Sequence, residues 1–289
     1  MSNTIELAKS FVPKLDECYR LASLTSVLDG APELAKQGAN ANELIIPMMS
    51  MDGLADYSRN GGYVQGGVTM TNETVKCNFD RGRRFDVDVM DDLETAGLAF
   101  GRLSAQFIRD KVVPELDAFR FASYCGISGV TKKEETLADG AATAAALSAA
   151  VTAMDDEEVT ATGRYLFITP TLLQGINDMD TTKSKKVLEG FEQVIKVPQR
   201  RFYTAIKQLS GKTGEEAGGY TKATGAANIN FAIVQKDALI QYTKHAAPKI
   251  IAPENNPDAD AYVFGYRMVG IAKAYKNMLS GMYFSHDKA

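Results

Sequence analysis

The stretch from Glu43 to Met90 constrains the fold most, because it alternates apolar and polar residues over lengths that suit extended strands. Leu44-Ile45-Ile46 opens one strand; Val75, Cys77 and Phe79 alternate with polar neighbours, as do Phe85, Val87 and Val89. This is the period-2 pattern of strands with one apolar face. Met51-Asp52-Gly53, Asn60-Gly61-Gly62 and Gly66-Gly67 mark turns between them. The pattern predicts a long, polar, glycine-studded β-hairpin. Two strands are marginally stable alone, so the apolar face must lie on its own domain or on a neighbouring chain. Three close glycine turns favour the second arrangement, an extended flap.

A long helix is expected next. Asp91 reads as its N-cap, with Glu94 reaching back three residues later. Leu93, Ala96, Phe100, Leu103 and Phe107, then Val112, Leu116 and Phe119, recur at helical spacing to about Tyr124. Pro114 removes a backbone donor and crowds Asp110, so a kink is expected near Asp110–Val113. Ala141–Met154 predicts a second helix, and Arg164–Thr169 a buried strand stopped by Pro170 with a helix after it. Ile229–Val234 and Tyr262–Tyr275 read as strands, Leu279–Phe284 as a further run, Lys236–Tyr242 as a short helix and Gly211–Gly225 as loop. Strands and helices mix without regular βαβ alternation, which points to an α+β architecture.

Composition narrows the function classes. Among 289 residues there are two histidines, three scattered cysteines (Cys18, Cys77, Cys125) and no tryptophan. His245 and His286 have no metal-ligand spacing, and no C-x-x-C pair exists. Gly211-Lys212-Thr213 resembles the end of a phosphate loop, but Ile206 stands where that motif needs glycine. No serine elbow or dinucleotide fingerprint occurs, so no enzymatic activity, cofactor or metal is expected. The alanine-rich run Ala141–Met154 is shorter than the roughly 20 apolar residues a membrane span requires. A net charge of −4 argues against a generally basic nucleic-acid binder.

Charge is nevertheless uneven: residues 1–160 hold 25 acidic and 15 basic side chains, residues 161–289 hold 11 and 17. Unlike faces of this kind can steer association between subunits. On the strand after the glycine turns, Arg81, Arg83 and Arg84 interleave with Asp80, Asp86 and Asp88. The acids would repel phosphate, so an ion-pairing surface between subunits is the better reading. Lys183, Lys185, Lys186, Arg200 and Arg201 read as solvated charge, and Asp155/Asp156 as a solvated helix exit.

The order of parts, and several segments in sequence, resemble the major capsid proteins of tailed bacteriophages, which have the Hong Kong phage-type fold shared by encapsulin shells. The similar segments are Leu-Asp-Gly at 28–30, Gly-Ala-Asn-Ala-Asn-Glu at 38–43 and Met-Asp-Gly-Leu-Ala-Asp-Tyr-Ser-Arg-Asn at 51–60. Asn-Phe-Asp-Arg-Gly-Arg at 78–83, Pro-Glu-Leu-Asp-Ala-Phe-Arg-Phe-Ala at 114–122, Val-Pro-Gln-Arg-Arg-Phe-Tyr-Thr-Ala-Ile at 197–206 and Gln-Tyr-Thr-Lys-His at 241–245 continue the likeness. The resemblance implies an N-terminal arm at 1–41, an extended loop at 42–90 and a peripheral-domain spine helix at 91–129. An axial domain would follow at 130–245, and peripheral strands returning to the axial domain at 246–289.

It further implies hexamers and pentamers closing an icosahedral shell around double-stranded DNA, in a virion assembled in bacterial cytoplasm; an encapsulin-like compartment is the alternative. Only about forty residues precede the hairpin, so a separate scaffolding protein is expected beside a portal, with no membrane partner. Asp56 and Arg59 join Arg81, Arg83, Arg84, Asp86 and Asp88 as candidates for subunit contact. Some relatives cross-link a loop lysine to a neighbour's asparagine. Lys76 is the lysine of this loop, with Asn255, Asn256 and Asn277 as candidate acceptors, although no local motif matches.

Overall fold

A computed structural model of the chain describes residues 23–30, 36–37, 43–90, 103, 105–179 and 182–288. In chain order the strands are β1 (Lys36–Gln37), β2 (Glu43–Met51), β3 (Val68–Lys76), β4 (Phe79–Asp88), β5 (Thr131–Glu134), β6 (Arg164–Ile168) and β7 (Gln193–Lys196). They continue with β8 (Ile206–Gln208), β9 (Tyr220–Lys222), β10 (Ile229–Gln235), β11 (Leu239–Ile251), β12 (Ala261–Ala274) and β13 (Met282–His286). The α-helices are α1 (Val113–Gly126), α2 (Gly140–Asp156), α3 (Pro170–Asp178) and α4 (Thr182–Glu189).

One body is built on a mixed five-stranded sheet, ordered β5-β13-β10-β6-β7. β10 is antiparallel to both β13 and β6, while the edge strands β5 and β7 run parallel to their neighbours. Both sheet faces are covered, which is why β6 and β10 read as unbroken apolar runs. Leu166, Ile168, Phe231 and Ile233 pack with Ala146, Leu147 and Ala150 of α2 and Leu173 and Ile176 of α3. From the opposite face, Tyr165, Phe167, Ala232 and Val234 pack with Phe121, Tyr124 and Cys125 of α1 and with Leu28. Asp139 caps α2, its carboxylate accepting from Ala142 N at 2.7 Å. α2 and α3 meet at glycines: a β-carbon on Gly140 would lie 2.1 Å from the Gly175 carbonyl oxygen.

The second body is the sheet β11-β12-β4. Phe79, Phe264, Tyr266 and Met268 on this sheet pack against Ile108, Val113 and Leu116. α1 therefore joins the two bodies, Leu116 lying in one core and Phe121 in the other. The β11–β12 ribbon runs the same way, with Leu239 and Ala272 in the first core and Phe264 in the second.

Most predicted elements stand close to where the pattern placed them, and four readings change. Glu43–Met90 is not one hairpin: β2 pairs with β3, whereas β4 pairs with β12 from Phe79 opposite Gly270 to Asp88 opposite Ala261. Lys236–Tyr242 is not a helix; a single 3-10 turn, Lys236–Ala238, leads directly into β11. Within the stretch read as loop, β9 pairs with β8. The last strand begins at Met282, after a 3-10 segment over Lys276–Gly281. Near Pro114, where a kink is expected, the helix takes a π-helical turn, Ile108–Val112, leading into α1. The predicted cap at Asp91 and Glu94 lies outside the described residues.

Candidate subunit-contact surfaces

The β2–β3 hairpin pairs from Glu43 opposite Lys76 to Met51 opposite Val68. At about 3.4 Å per residue, nine-residue strands reach on the order of 30 Å. Met49 stands opposite Met70 and Met51 opposite Val68, so these four side chains share one face. All four are exposed. At the tip, Asp52 N donates to Gly67 O at 3.2 Å, Gly67 N returns a bond to Asp52 Oδ2 at 2.7 Å, and Ser58 bridges Gly62. Gly62, at φ +73°, supplies the left-handed backbone of this turn. Tyr57 and Tyr63 pack edge to face at 4.9 Å, yet Tyr63 remains 90% exposed, and Leu54 and Val64 also face solvent. A structured, apolar tip left exposed by the described residues has the form of a docking surface.

The charged residues singled out from sequence divide into two groups. Asp56 and Arg59 lie exposed on the tip. Arg84 pairs with Asp86, Nε to Oδ1 at 2.8 Å, both exposed. Asp88 accepts from Met90 N at 2.9 Å. Arg81 and Arg83 instead hold their own chain together. Arg81 Nε meets Glu115 Oε1 at 2.8 Å, and its Nη2 donates to Leu209 O at 2.8 Å and Gly219 O at 3.3 Å. Arg83 Nη2 donates to Glu216 O at 2.8 Å. These bonds fasten the β8–β9 loop over β4, with Gly211 and Gly218 at positive φ leaving room for the Arg83 guanidinium. Burial raises the Glu115 carboxyl above its usual range despite Arg81 beside it. An open cleft between β4, the π turn and this loop is lined by Arg109, Lys111, Arg200 and Lys222, with Phe85 and Phe107 on its apolar wall.

Two other charges read as solvated are in fact joined to buried partners. Asp155 pairs with the buried Arg164 at 2.7 Å, and that arginine also bonds the carbonyls of Val159 and Thr160. Arg201 Nη1 lies 3.2 Å from Asp117 Oδ2.

Asp117 is the centre of a polar junction that the sequence reading missed. Fully buried on α1, its Oδ1 accepts from Ser23 Oγ (2.9 Å), Thr25 N (3.3 Å) and Thr25 Oγ1 (2.7 Å), and its Oδ2 also accepts from Leu24 N (3.2 Å). One turn on, Arg120 is 2% exposed and donates to Thr25 Oγ1 (2.8 Å), Asp29 Oδ1 (3.1 Å) and Thr243 Oγ1 (3.4 Å). Tyr124 donates to Gln241 Oε1 at 2.6 Å, and Gln241 Nε2 donates to Thr25 O at 2.6 Å and Asp29 Oδ1 at 2.7 Å. Burial pushes the Tyr124 phenol up, and the neighbouring Cys125 thiol up to about 11. A signal was present: Asp117, Arg120 and Tyr124 sit at i, i+3 and i+7, on one stripe of a helix whose other faces are also apolar.

Among the described residues, no group of three or more histidine, cysteine, aspartate or glutamate side chains could hold a metal ion, and no helix is long and apolar enough to cross a membrane.

No protein-family model and no curated protein matches the sequence. Solved structures do match in fold. A structure of Gordonia phage Cozz superposes with TM-score 0.60 at 11% identity, over 93% of this chain and 87% of that one. A virus-like particle from Pyrococcus furiosus gives 0.57 at 11% identity, over 96% and 98%. The capsid structure of Cyanophage P-SCSP1u gives 0.54 at 14% identity, over 87% and 85%. The chain has the Hong Kong phage-type capsid fold. Identities this low establish architecture, and function has to be argued from the surfaces. The base of the hairpin packs on the β11–β12 ribbon through Val75 with Ile240 and Ile271, while Met49, Met51, Val68 and Met70 belong to neither core among the described residues.

Proposed function

We propose that this chain is the major capsid protein of a tailed phage or prophage, assembling as hexamers and pentamers into an icosahedral shell around double-stranded DNA. The observation that carries this reading is the β2–β3 hairpin, whose aligned face of Met49, Met51, Val68 and Met70 and whose tip of Leu54, Tyr57 and Tyr63 are left exposed by the described residues. Full burial of one such side chain is worth about 1.5–3 kcal/mol, so covering this face by a neighbour would stabilise a contact strongly. A hairpin seated on a different surface of its neighbour makes a heterologous contact, the kind that forms rings when its rotation closes. The exposed charges Asp56, Arg59, Arg84, Asp86 and Asp88 would lie at such contacts, with Arg81 and Arg83 contributing through the loop they hold.

In this reading residues 1–41 form the arm, 42–90 the extended loop, 91–129 the spine, 130–245 the axial domain and 246–289 the returning peripheral strands. A separate scaffolding protein and a portal are the expected partners, in the cytoplasm of a bacterial host. The likeness to the Pyrococcus furiosus particle over nearly all of both chains favours a second reading, an encapsulin-like compartment.

Electron microscopy of the purified chain tests both readings against a soluble monomer. Rings or closed shells are expected, and a small monomer stable across concentrations would sink the shell reading. DNA rather than a protein cargo inside native particles supports the capsid over the compartment. Deleting residues 52–67 should leave the subunit folded and block assembly.

A further inference from the structure

We propose that the Ser23–Gly30 segment is a latch that fixes the angle between the two bodies of the subunit. Among the described residues two connectors link those bodies, α1 and the β11–β12 ribbon, and each carries an irregularity. A π-helical turn, Ile108–Val112, leads into α1, and the β11–β12 register shifts between Thr243 and His245. π turns and β-bulges both redirect the element that contains them. The ribbon's irregularity falls where Thr243 meets Arg120, while the π turn lies about 12–18 Å back along the helix axis, in the core of the three-stranded sheet.

The latch sits at the level of the β11 register shift. Asp117 and Arg120 lie on α1 between Leu116, in the core of the three-stranded sheet, and Phe121, in the core of the five-stranded sheet. Thr243 and Gln241 are the facing positions on β11. Ser23–Gly30 binds both connectors at once: Thr25 and Ser23 hold Asp117, Asp29 holds Arg120 and Gln241, and Gly30 N donates to Gln241 O at 3.1 Å. Arg201, from the loop before β8, closes the ring on Asp117.

The key atom is Thr25 Oγ1. It donates to Asp117 Oδ1 and accepts from Arg120 Nη1, so one hydroxyl serves both buried charges. A change in the angle between α1 and β11 would separate Asp117 and Arg120 from Gln241 and Thr243, and the segment can satisfy all four only at one setting. Buried charges deprived of partners are costly. The latch thus holds one angle by making other angles leave charges unpaired.

The discriminating variants are Thr25→Val, which removes the hydroxyl while keeping its shape, and Leu28→Ala, which weakens the apolar seat of the same segment and leaves the polar bonds in place. Spin labels at the exposed positions Glu157, after α2, and Asp258, in the β11–β12 turn, report the distance between bodies by pulsed electron resonance, using a background with Cys18 and Cys77 changed to serine. The unaltered junction should give one narrow distance distribution. Thr25→Val should at least double its width, Ser23→Ala should broaden it less, and Thr25→Ser should restore it. Leu28→Ala should lower the melting temperature and leave the distribution narrow. A Thr25→Val distribution as narrow as that of the parent, or equal broadening by Leu28→Ala, would overturn the proposal. Labelled chain is diluted into an excess of unlabelled chain, so the distance read is that within one subunit whether or not shells form.

Discussion

Arg81 Nε lies 2.8 Å from Glu115 Oε1 and ties β4 to the first turn of α1. Both side chains are mostly withdrawn from solvent, and Arg81 also holds two carbonyls of the β8–β9 loop. Arg81→Ala would leave the carboxylate without its cation, at a cost of about 2 kcal/mol in subunit stability. Arg84 pairs in full solvent exposure, and pairs of that kind add little to folding. Thermal melts of the two alanine variants should therefore separate them: a clear drop for Arg81→Ala and none for Arg84→Ala. An equal response would refute the division of these arginines into internal and external.

The same pair sets a pH dependence. Burial raises the folded-state pKa of Glu115 above its unfolded value near 4.5, so the folded chain holds this proton more tightly than the unfolded chain. The resulting contribution is intact below 4.5 and is lost as pH rises through the folded value. Glu115→Gln removes the titration. Denaturant melts between pH 4 and pH 7 should show a flatter decline for the variant, and parallel curves would contradict the burial argument.

Gly140 and Gly175 make a different kind of contact. A β-carbon on Gly140 would meet the Gly175 carbonyl oxygen at 2.1 Å, whereas one on Gly175 would meet Gly140 atoms at 3.4–3.5 Å. Gly140→Ala has to push α2 off α3 and should cost about 2–3 kcal/mol. Gly175→Ala needs only a small adjustment and, because alanine favours helix, should lie close to neutral. The two melting temperatures test this asymmetry.

These contrasts show what local pattern could reveal and where it stopped. β6, β10 and β12 are legible because both or one of their faces are filled by apolar residues at strand spacing, and α2 because its alanine-rich run extends to Met154. The change of sheet between β3 and β4 was hidden. There Asn78 acts as a substitute peptide: its Nδ2 donates to Ala272 O at 2.9 Å and its Oδ1 accepts from Ala272 N at 3.0 Å. Such a bond depends on a partner 194 residues away, and no local periodicity announces it. β11 was hidden for the same reason, since Lys244, His245, Lys249 and Pro248 disguise a strand whose identity comes from its register on β12. Asp117 and Arg120 read as ordinary helix charges until Thr25 and Gln241 are brought to them. The apolar hairpin face was legible only in part, because a face left open to a neighbour follows the same alternation as one closed on its own core.

The hairpin face gives the most direct link from sequence to assembly. Met49, Met51, Val68 and Met70 are exposed and lie outside the cores of the described residues, so changing all four to serine or threonine should leave the melting temperature within about 1 °C, as surface substitutions usually do. In a shell the same four side chains would be covered at every contact. Losing on the order of 1 kcal/mol of burial at each of them weakens each contact by several kcal/mol, which is at least a hundredfold in association constant. Light scattering across a concentration series should then show the parent forming large particles while the variant remains as subunits or small rings. Particles of unchanged size and yield would mean that this face stays uncovered in the assembly, and the contact surface would have to be sought on the exposed charges Asp56, Arg59, Arg84 and Asp86 instead.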